Sequence, residues 1–415
     1  MFLEGDSLTR FGRQLGTLAV GLVCTLLLLA LAPGAFGMPL ENAVDKGPAG
    51  APYAAGELIV TYKQGTSERI VESASEKAGA KIEKDLSALN AKLVELPEIK
   101  SESSQEMREQ DLAQAKDELE KDSAVENVYY NYVRTGFYTP NDSKFRYQYG
   151  LRKPGFEKAW SRTRGKQRRI AIVDSGADLG HVDLRNKAVA QYDFHNDNST
   201  VEDPNGRGTH VAGIVAANTG NGFGVAGGCP GCRLVIAKAL DKDLVGYDSD
   251  IATAIRWSAD RGAKAINLSL GGTGEKSILS DAVNYAMSKG ALVVAAAGNG
   301  GPGPIYPAAY RNVMAVAATG PSDNRNSSYS TGDYIDISAP GLNIISTVPG
   351  GYEYKSGTSM ATPHMAALAG LLASQGRGPL NIRRRILRTS VDLGPKGRDP
   401  YYGAGRINAD EATRK

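Results

Sequence analysis

The sequence predicts an α/β protein: a mostly parallel sheet covered by helices on both faces, preceded by a small α+β unit. Two observations carry that expectation. Near-continuous apolar runs, Ile170–Val173, Ala263–Leu270 and Ala291–Ala297, have the character of strands buried on both faces. They alternate with helix-patterned stretches such as Ser249–Arg261 and Ile278–Lys289, the signature of parallel α/β architecture. In such sheets ligand chemistry lies beyond the carboxyl ends of the strands.

The elements are expected in this order. Arg10 and Arg13 precede the apolar run Leu15–Leu31, which breaks at Pro33-Gly34. Residues 1–37 therefore read as a cleaved export signal, with a retained membrane anchor as the alternative. Residues 38–55 are rich in Gly, Ala and Pro and read as a linker. Residues 56–134 form the α+β unit: strands over Glu57–Lys63, Leu93–Leu96 and Val125–Val133, and helices over Glu68–Ala78 and the charged Ser101–Asp122. The unit ends in the turn-prone stretch Arg134–Asn141, and residues 135–147 read as a processing and linker region. From 148 to 415 runs the large unit, with strands over Arg169–Val173, Leu234–Leu240, Ala263–Leu270, Ala291–Ala297 and Val313–Ala318. Its further helices cover Thr209–Ala217, Ser359–Gln375 and Ile382–Leu387.

Composition bounds the chemistry. The chain has 415 residues with a net charge of +3, too weak a bias to argue for nucleic acid, and Arg383–Arg388 reads as a solvent-facing helix surface. Cys229 and Cys232 stand as Cys-Pro-Gly-Cys. Outside the cell a short-loop disulfide fits them, with free thiols or redox and metal use as alternatives.

Four short runs carry reactive groups: AIVDSG at 171–176, GTHVAG at 208–213, AAAGN at 295–299 and GTSMATPH at 357–364. Asp174 ends an apolar strand, where a carboxylate can orient an imidazole, or simply make a turn. His210 opens a helix among small residues and suits base chemistry. Of the other three histidines, His181 and His195 occupy polar loops and are expected to be exposed, and His364 is expected to pack within its helix. Ser359 at a helix start lies beside unpaired N–H groups that can stabilise an oxyanion, although an ordinary capping serine looks the same. The Asn299 amide can donate to the same oxyanion, or serve an Asn-Gly turn. Jointly these describe a serine hydrolase. The serine lacks the Gly-x-Ser-x-Gly elbow of lipases.

On these motifs the large unit, from about 148 to 412, resembles the subtilisin family of serine proteases, near its thermitase-like branch. The resemblance implies an Asp174–His210–Ser359 triad, Asn299 as oxyanion donor, and an acyl-enzyme mechanism of broad specificity on protein or peptide substrates. Ser269, Leu270, Gly271 and Gly272 match the segment that pairs with extended substrate. Tyr306-Pro307 matches a frequent cis bond. It implies structural calcium, held by Asp183 and Asn221 with the carbonyls of Phe223 and Val225, and a second site at Asp193, Asn198, Thr200 and Glu202. It also implies that the α+β unit is an inhibitory propeptide acting within its own chain, whose end near Val133–Tyr138 fills the cleft. The enzyme would be secreted and monomeric. The alternatives are a membrane-anchored processing protease with narrow targets and an inactive binding protein of the same fold. One departure stands out: the histidine usual before Gly-Thr-His is Arg207. With His210 intact as the base, that departure is expected to bear on local packing or pH response and not on activity.

Overall fold

The computed structural model describes residues 44–46, 52–101, 104–133, 139–275 and 277–414. They fall into two compact units, one up to 134 and one from 135. The apolar run at 15–31 and the segment 134–138 lie outside the described residues.

The first unit comprises β1 (Val44–Lys46), β2 (Pro52–Tyr62), α1 (Glu68–Lys77), β3 (Lys81–Leu86), β4 (Ala91–Glu95), α2 (Pro97–Ser101), α3 (Gln105–Glu120) and β5 (Val125–Tyr132). Its sheet runs β1-β2-β4-β3, with β5 also on β2, and every pairing is antiparallel. Leu58, Val60, Val94, Leu112, Leu119 and Val128 fill one core. Part of the stretch expected as a linker is in this sheet. Tyr53 and Ala55 are buried, and the Arg108 guanidinium grips the buried Asp45 carboxylate through both Nε (2.9 Å) and Nη2 (2.7 Å). The strand β3 escapes the sequence pattern because nearly all its residues are exposed, so no apolar alternation marks it.

The second unit comprises α4 (Tyr149–Arg152), α5 (Phe156–Trp160), β6 (Arg169–Asp174), β7 (Ala188–Asp193), α6 (Arg207–Ala216), β8 (Arg233–Lys238), α7 (Asp248–Asp260), β9 (Ala263–Leu268), α8 (Ile278–Ser288), β10 (Leu292–Ala296) and β11 (Val313–Thr319). It continues through β12 (Ile337–Pro340), the hairpin β13 (Ile344–Val348) and β14 (Gly351–Lys355), α9 (Thr358–Ser374), α10 (Pro379–Thr389) and α11 (Ala409–Thr413). Seven strands form a parallel sheet in the order β12-β11-β10-β9-β6-β8-β7. Alternate residues of β6 feed opposite cores. Ile170 and Ile172 pack with α6 and α9, while Ala171 and Val173 pack with α7 and α8. That two-sided burial is why the strands read as unbroken apolar runs.

Chain order reverses between β6 and β9, which pair in register Val173↔Leu268. The crevice at the carboxyl ends of these two strands is where an open α/β sheet offers a site. Asp174 ends β6 there, and Ser269 follows β9.

Outside the site one expectation changes and another holds. Arg383 does not simply face solvent: it donates to Val313 O and to the buried Asp336 carboxylate, each at 2.8 Å. Cys229 and Cys232 are joined as a disulfide, buried against Gly165 and Gly370.

Candidate active site

The side of the site that carries Ser359 is built from α9. Gly357 precedes the helix at φ +150°, and a Cβ there would stand 3.2 Å from Asn299 Nδ2, so the backbone approach favours glycine. Ser359 lies in the first helical turn, where its N–H has no intrahelical acceptor. Thr358 fixes the neighbouring amide: its N–H (2.9 Å) and Oγ1 (3.0 Å) both donate to Asn299 Oδ1. With that oxygen engaged, Asn299 keeps its NH2 as a donor. Ser359 Oγ donates to Ser269 O at 3.2 Å. Ser269 Oγ in turn donates to Ser359 O at 2.9 Å. That carbonyl needs an outside donor because Pro363, four residues on, has no N–H to give it. Asn267 Nδ2 supports Ser269 Oγ at 3.0 Å.

The cleft segment divides by role. Ser269 is buried and structural, and Leu270 packs on the core beside α7 and α8. Gly271 and Gly272 are exposed. Gly272 exchanges both backbone hydrogen bonds with Tyr306, each 2.8 Å, and the Tyr306-Pro307 bond is cis.

The acid side differs from expectation. Asp174 is 1% exposed, and its Oδ1 accepts from Ser175 N (2.8 Å) and from Arg207 Nε (3.0 Å). Its Oδ2 is buried without a hydrogen-bond partner. Burial pushes the carboxyl pKa up, and the Arg207 guanidinium opposes that shift. The helix that carries Arg207 is set by Asp203. Its carboxylate accepts from Thr209 N (2.7 Å), Thr209 Oγ1 (2.6 Å), Gly206 N (2.9 Å) and Ser175 Oγ (2.8 Å). Gly208 lets α6 lie against the strand end, since a Cβ there would come within 2.1 Å of Gly176 O. The helix begins at Arg207, two residues before the expected start.

His210 does not join this pair. Its Nε2 lies 3.0 Å from Ile344 O and 3.1 Å from Glu353 O. Two acceptors fix that nitrogen as the protonated one, and they belong to the β13–β14 hairpin. Its Nδ1 is buried without a partner. Burial pushes the imidazole pKa down to about 4, so the ring is neutral at physiological pH. The structure thus brings Arg207 to Asp174, where the sequence leads one to expect His210. The departure at Arg207 is the sequence signal of this exchange, and assigning it to local packing misses it.

Two of the remaining three histidines are also engaged, while His195 Nδ1 is buried without a partner. His364 is buried, with Nδ1 2.9 Å from Met360 O, and its pKa is pushed down to about 4 by burial. His181 is buried rather than exposed: Nε2 lies 3.0 Å from Gly351 O, and Nδ1 accepts from Asp183 N at 3.1 Å. His195 is half-buried in the Asp193–Asn198 turn.

The two expected calcium regions differ. Asp183 Oδ1 accepts from Asn221 Nδ2 (2.8 Å), and Oδ2 accepts from Val225 N (2.9 Å) and Tyr352 OH (3.0 Å). Asn221 Oδ1 accepts from Phe223 N at 2.9 Å. Asp142, not foreseen from the sequence, joins them. Its Oδ2 accepts from Gly220 N at 2.7 Å, its Oδ1 is buried without a partner, and burial and the Asp183 charge raise its pKa. At the second region Asp193, Asn198, Thr200 and Glu202 line one open cleft. Both oxygens of Asp193 are taken by donors from His195 and Asn196, and Lys238 Nζ donates to Glu202 O at 2.8 Å.

Residues 165–405 match the subtilase family model, more than half of the chain. The chain belongs to the subtilase family. Residues 39–131 match the fervidolysin N-terminal prodomain. The subtilase is 40% identical to a thermophilic serine proteinase of Bacillus sp. (strain AK1), over 87% of this chain and 88% of that protein. It is 47% identical to thermitase of Thermoactinomyces vulgaris, over 67% of this chain and 100% of that protein. It is 41% identical to the minor extracellular protease Epr of Bacillus subtilis (strain 168), over 63% of this chain and 41% of that protein. Among solved structures, a protease from Pseudoalteromonas arctica PAMC 21717 superposes with a TM-score of 0.62 at 30% identity, covering 66% of this chain and 99% of that one. The family places this subtilase among the serine endopeptidases, which hydrolyse peptide bonds.

Proposed function

We propose that Ser359 is the nucleophile of this subtilase-family serine endopeptidase, attacking peptide carbonyls to form an acyl-enzyme, with broad side-chain tolerance. The observation that carries the reading is the Asn299–Thr358–Ser359 arrangement. Thr358 holds the Asn299 oxygen, which leaves the amide NH2 and the free Ser359 N–H as oxyanion donors. Exposed Gly271 offers backbone to an extended peptide, a mode of binding that reads side chains weakly. The α+β prodomain serves as the intramolecular inhibitor, the chain is exported by its apolar leader, as the extracellular name of one relative supports, and the mature enzyme acts as a monomer.

A structural calcium ion belongs to the proposal. Asp142, Asp183 and Asn221 side chains with the Phe223 and Val225 carbonyls would hold it, an all-oxygen set. The partnerless buried Asp142 oxygen supports this assignment. Among the described residues no three His, Cys, Asp or Glu side chains cluster as a metal site, so a cation here depends on amide and carbonyl oxygens as well. The Asp193–Glu202 region offers no comparable unsatisfied oxygen and already holds the Lys238 ammonium.

The test is hydrolysis of a diverse peptide mixture by the full chain beside S359A, with cut sites mapped by mass spectrometry. Cleavage that S359A abolishes is expected. Cleavage that survives in contaminant-free S359A protein sinks the assignment.

A further inference from the structure

We propose that Arg207 has taken the place of a general base on Asp174, so that this endopeptidase carries out acyl transfer at Ser359 without an imidazole and turns over slowly. The inference rests on the reading of Ser359 as nucleophile and concerns how that serine loses its proton.

Arg207 opens α6 at the carboxyl end of β6, with its Nε 3.0 Å from Asp174 Oδ1 and its side chain largely buried. A guanidinium stays protonated and carries only donors. It can neutralise a carboxylate, but it has no lone pair with which to accept the serine proton. Asp203, the other charge near Asp174, is spent on Ser175, Gly206 and Thr209.

No imidazole supplies what Arg207 cannot. The chain has four histidines. His210 is committed to Ile344 and Glu353, His364 to Met360, His181 to Gly351 and Asp183, and His195 sits in the turn after β7. Ser359 Oγ instead donates to a neutral backbone carbonyl, Ser269 O, which orients the hydroxyl without being able to deprotonate it. The oxyanion donors and the cleft are nonetheless in place, so the deficit is confined to proton transfer.

The step that remains available balances with water alone. Hydroxide takes the Ser359 proton and becomes water as the Oγ–C bond forms. The scissile C–N bond then breaks, and the departing amine takes its proton from a water molecule, which restores the hydroxide. Such a reaction is driven by hydroxide activity and has no imidazole titration in its pH profile.

The experiment compares full-length wild type, R207H, R207Q and S359A on an internally quenched peptide across pH, with self-cleavage followed by intact mass. R207H is expected to cut at least about 100-fold faster than wild type, the low end of what a positioned base contributes. Its rate should rise through an imidazole titration to a plateau. R207Q removes the charge without supplying a base and should stay slow. The wild-type rate should climb with pH without a plateau near neutrality, a result that needs no variant to fold. A wild-type rate within about tenfold of a natively melting R207H, or an imidazole inflection in the wild-type profile, overturns the inference and leaves the Ser359 reading intact. Failure of both wild type and natively melting R207H to cleave or to acylate would overturn the Ser359 reading, and the inference with it.

Discussion

The two halves of the active site are built to different standards. Around Ser359, most polar groups have a defined role, with the buried Asn267 Oδ1 as the exception. Thr358 holds Asn299, Ser269 holds the Ser359 carbonyl, and Gly357 leaves the approach open. Around Asp174, one carboxylate oxygen and one Arg207 nitrogen are buried without partners, and one turn further along α6 so is His210 Nδ1. Buried polar atoms are normally satisfied, so this concentration of orphans marks a place where the surroundings suit a different side chain from the one present. The oxyanion side can persist while the proton-transfer side changes, because the two are carried by different helices, α9 and α6.

The sharpest way to break this comparison is S359A, which should abolish hydrolysis while leaving melting near wild type; retained turnover would remove the nucleophile from the picture. Next in size is N299A. If the amide donates to the oxyanion, the rate should fall about 10²- to 10³-fold at unchanged stability. Measuring it in R207H, where the wild-type rate no longer limits sensitivity, tests the oxyanion side alone. On the acid side, G208A pushes a methyl group into Gly176 O and should cost about 3 kcal/mol of stability in denaturant titration.

The buried histidines give a pH effect. His210 and His364 have pKa values pushed from 6.5 to about 4, so the unfolded chain binds more protons than the folded one between those limits. Their contribution is complete above about pH 6.5 and lost as pH falls toward about 4, about 3 kcal/mol for each ring as an upper figure. Chemical denaturation at stepped pH should show the decline, and H364Q should flatten part of it. The smallest effect expected is calcium: added calcium should raise the melting temperature by a few degrees, and D142N should remove that response. A chelator without effect on wild type would count against the site.

The sheet was legible because burial on both faces leaves unbroken apolar strands, as in Ile170–Val173 and Ala291–Ala297. The exposed strand β3 and the half-polar hairpin β13–β14 carry no such mark. Ser359 and Asn299 could be located because helix starts and Gly-flanked turns have local signatures. The partner of Asp174 could not be settled that way. Arg207 and His210 sit one turn apart on the same helix, and only the packing of β13–β14 against α6 shows that the imidazole is already committed. Asp142 and Asp203 escaped for the same reason, since each acts on backbone N–H groups brought close by the fold.

The proline in α9 ties the helix to its neighbour. Because Pro363 withholds a donor from the Ser359 carbonyl, the hydroxyl of Ser269 acts as a strut for the helix that bears the proposed nucleophile. A substitution at position 269 would therefore disturb the proposed attacking oxygen as well as the groove, whereas one at the exposed Gly272 would leave that strut in place.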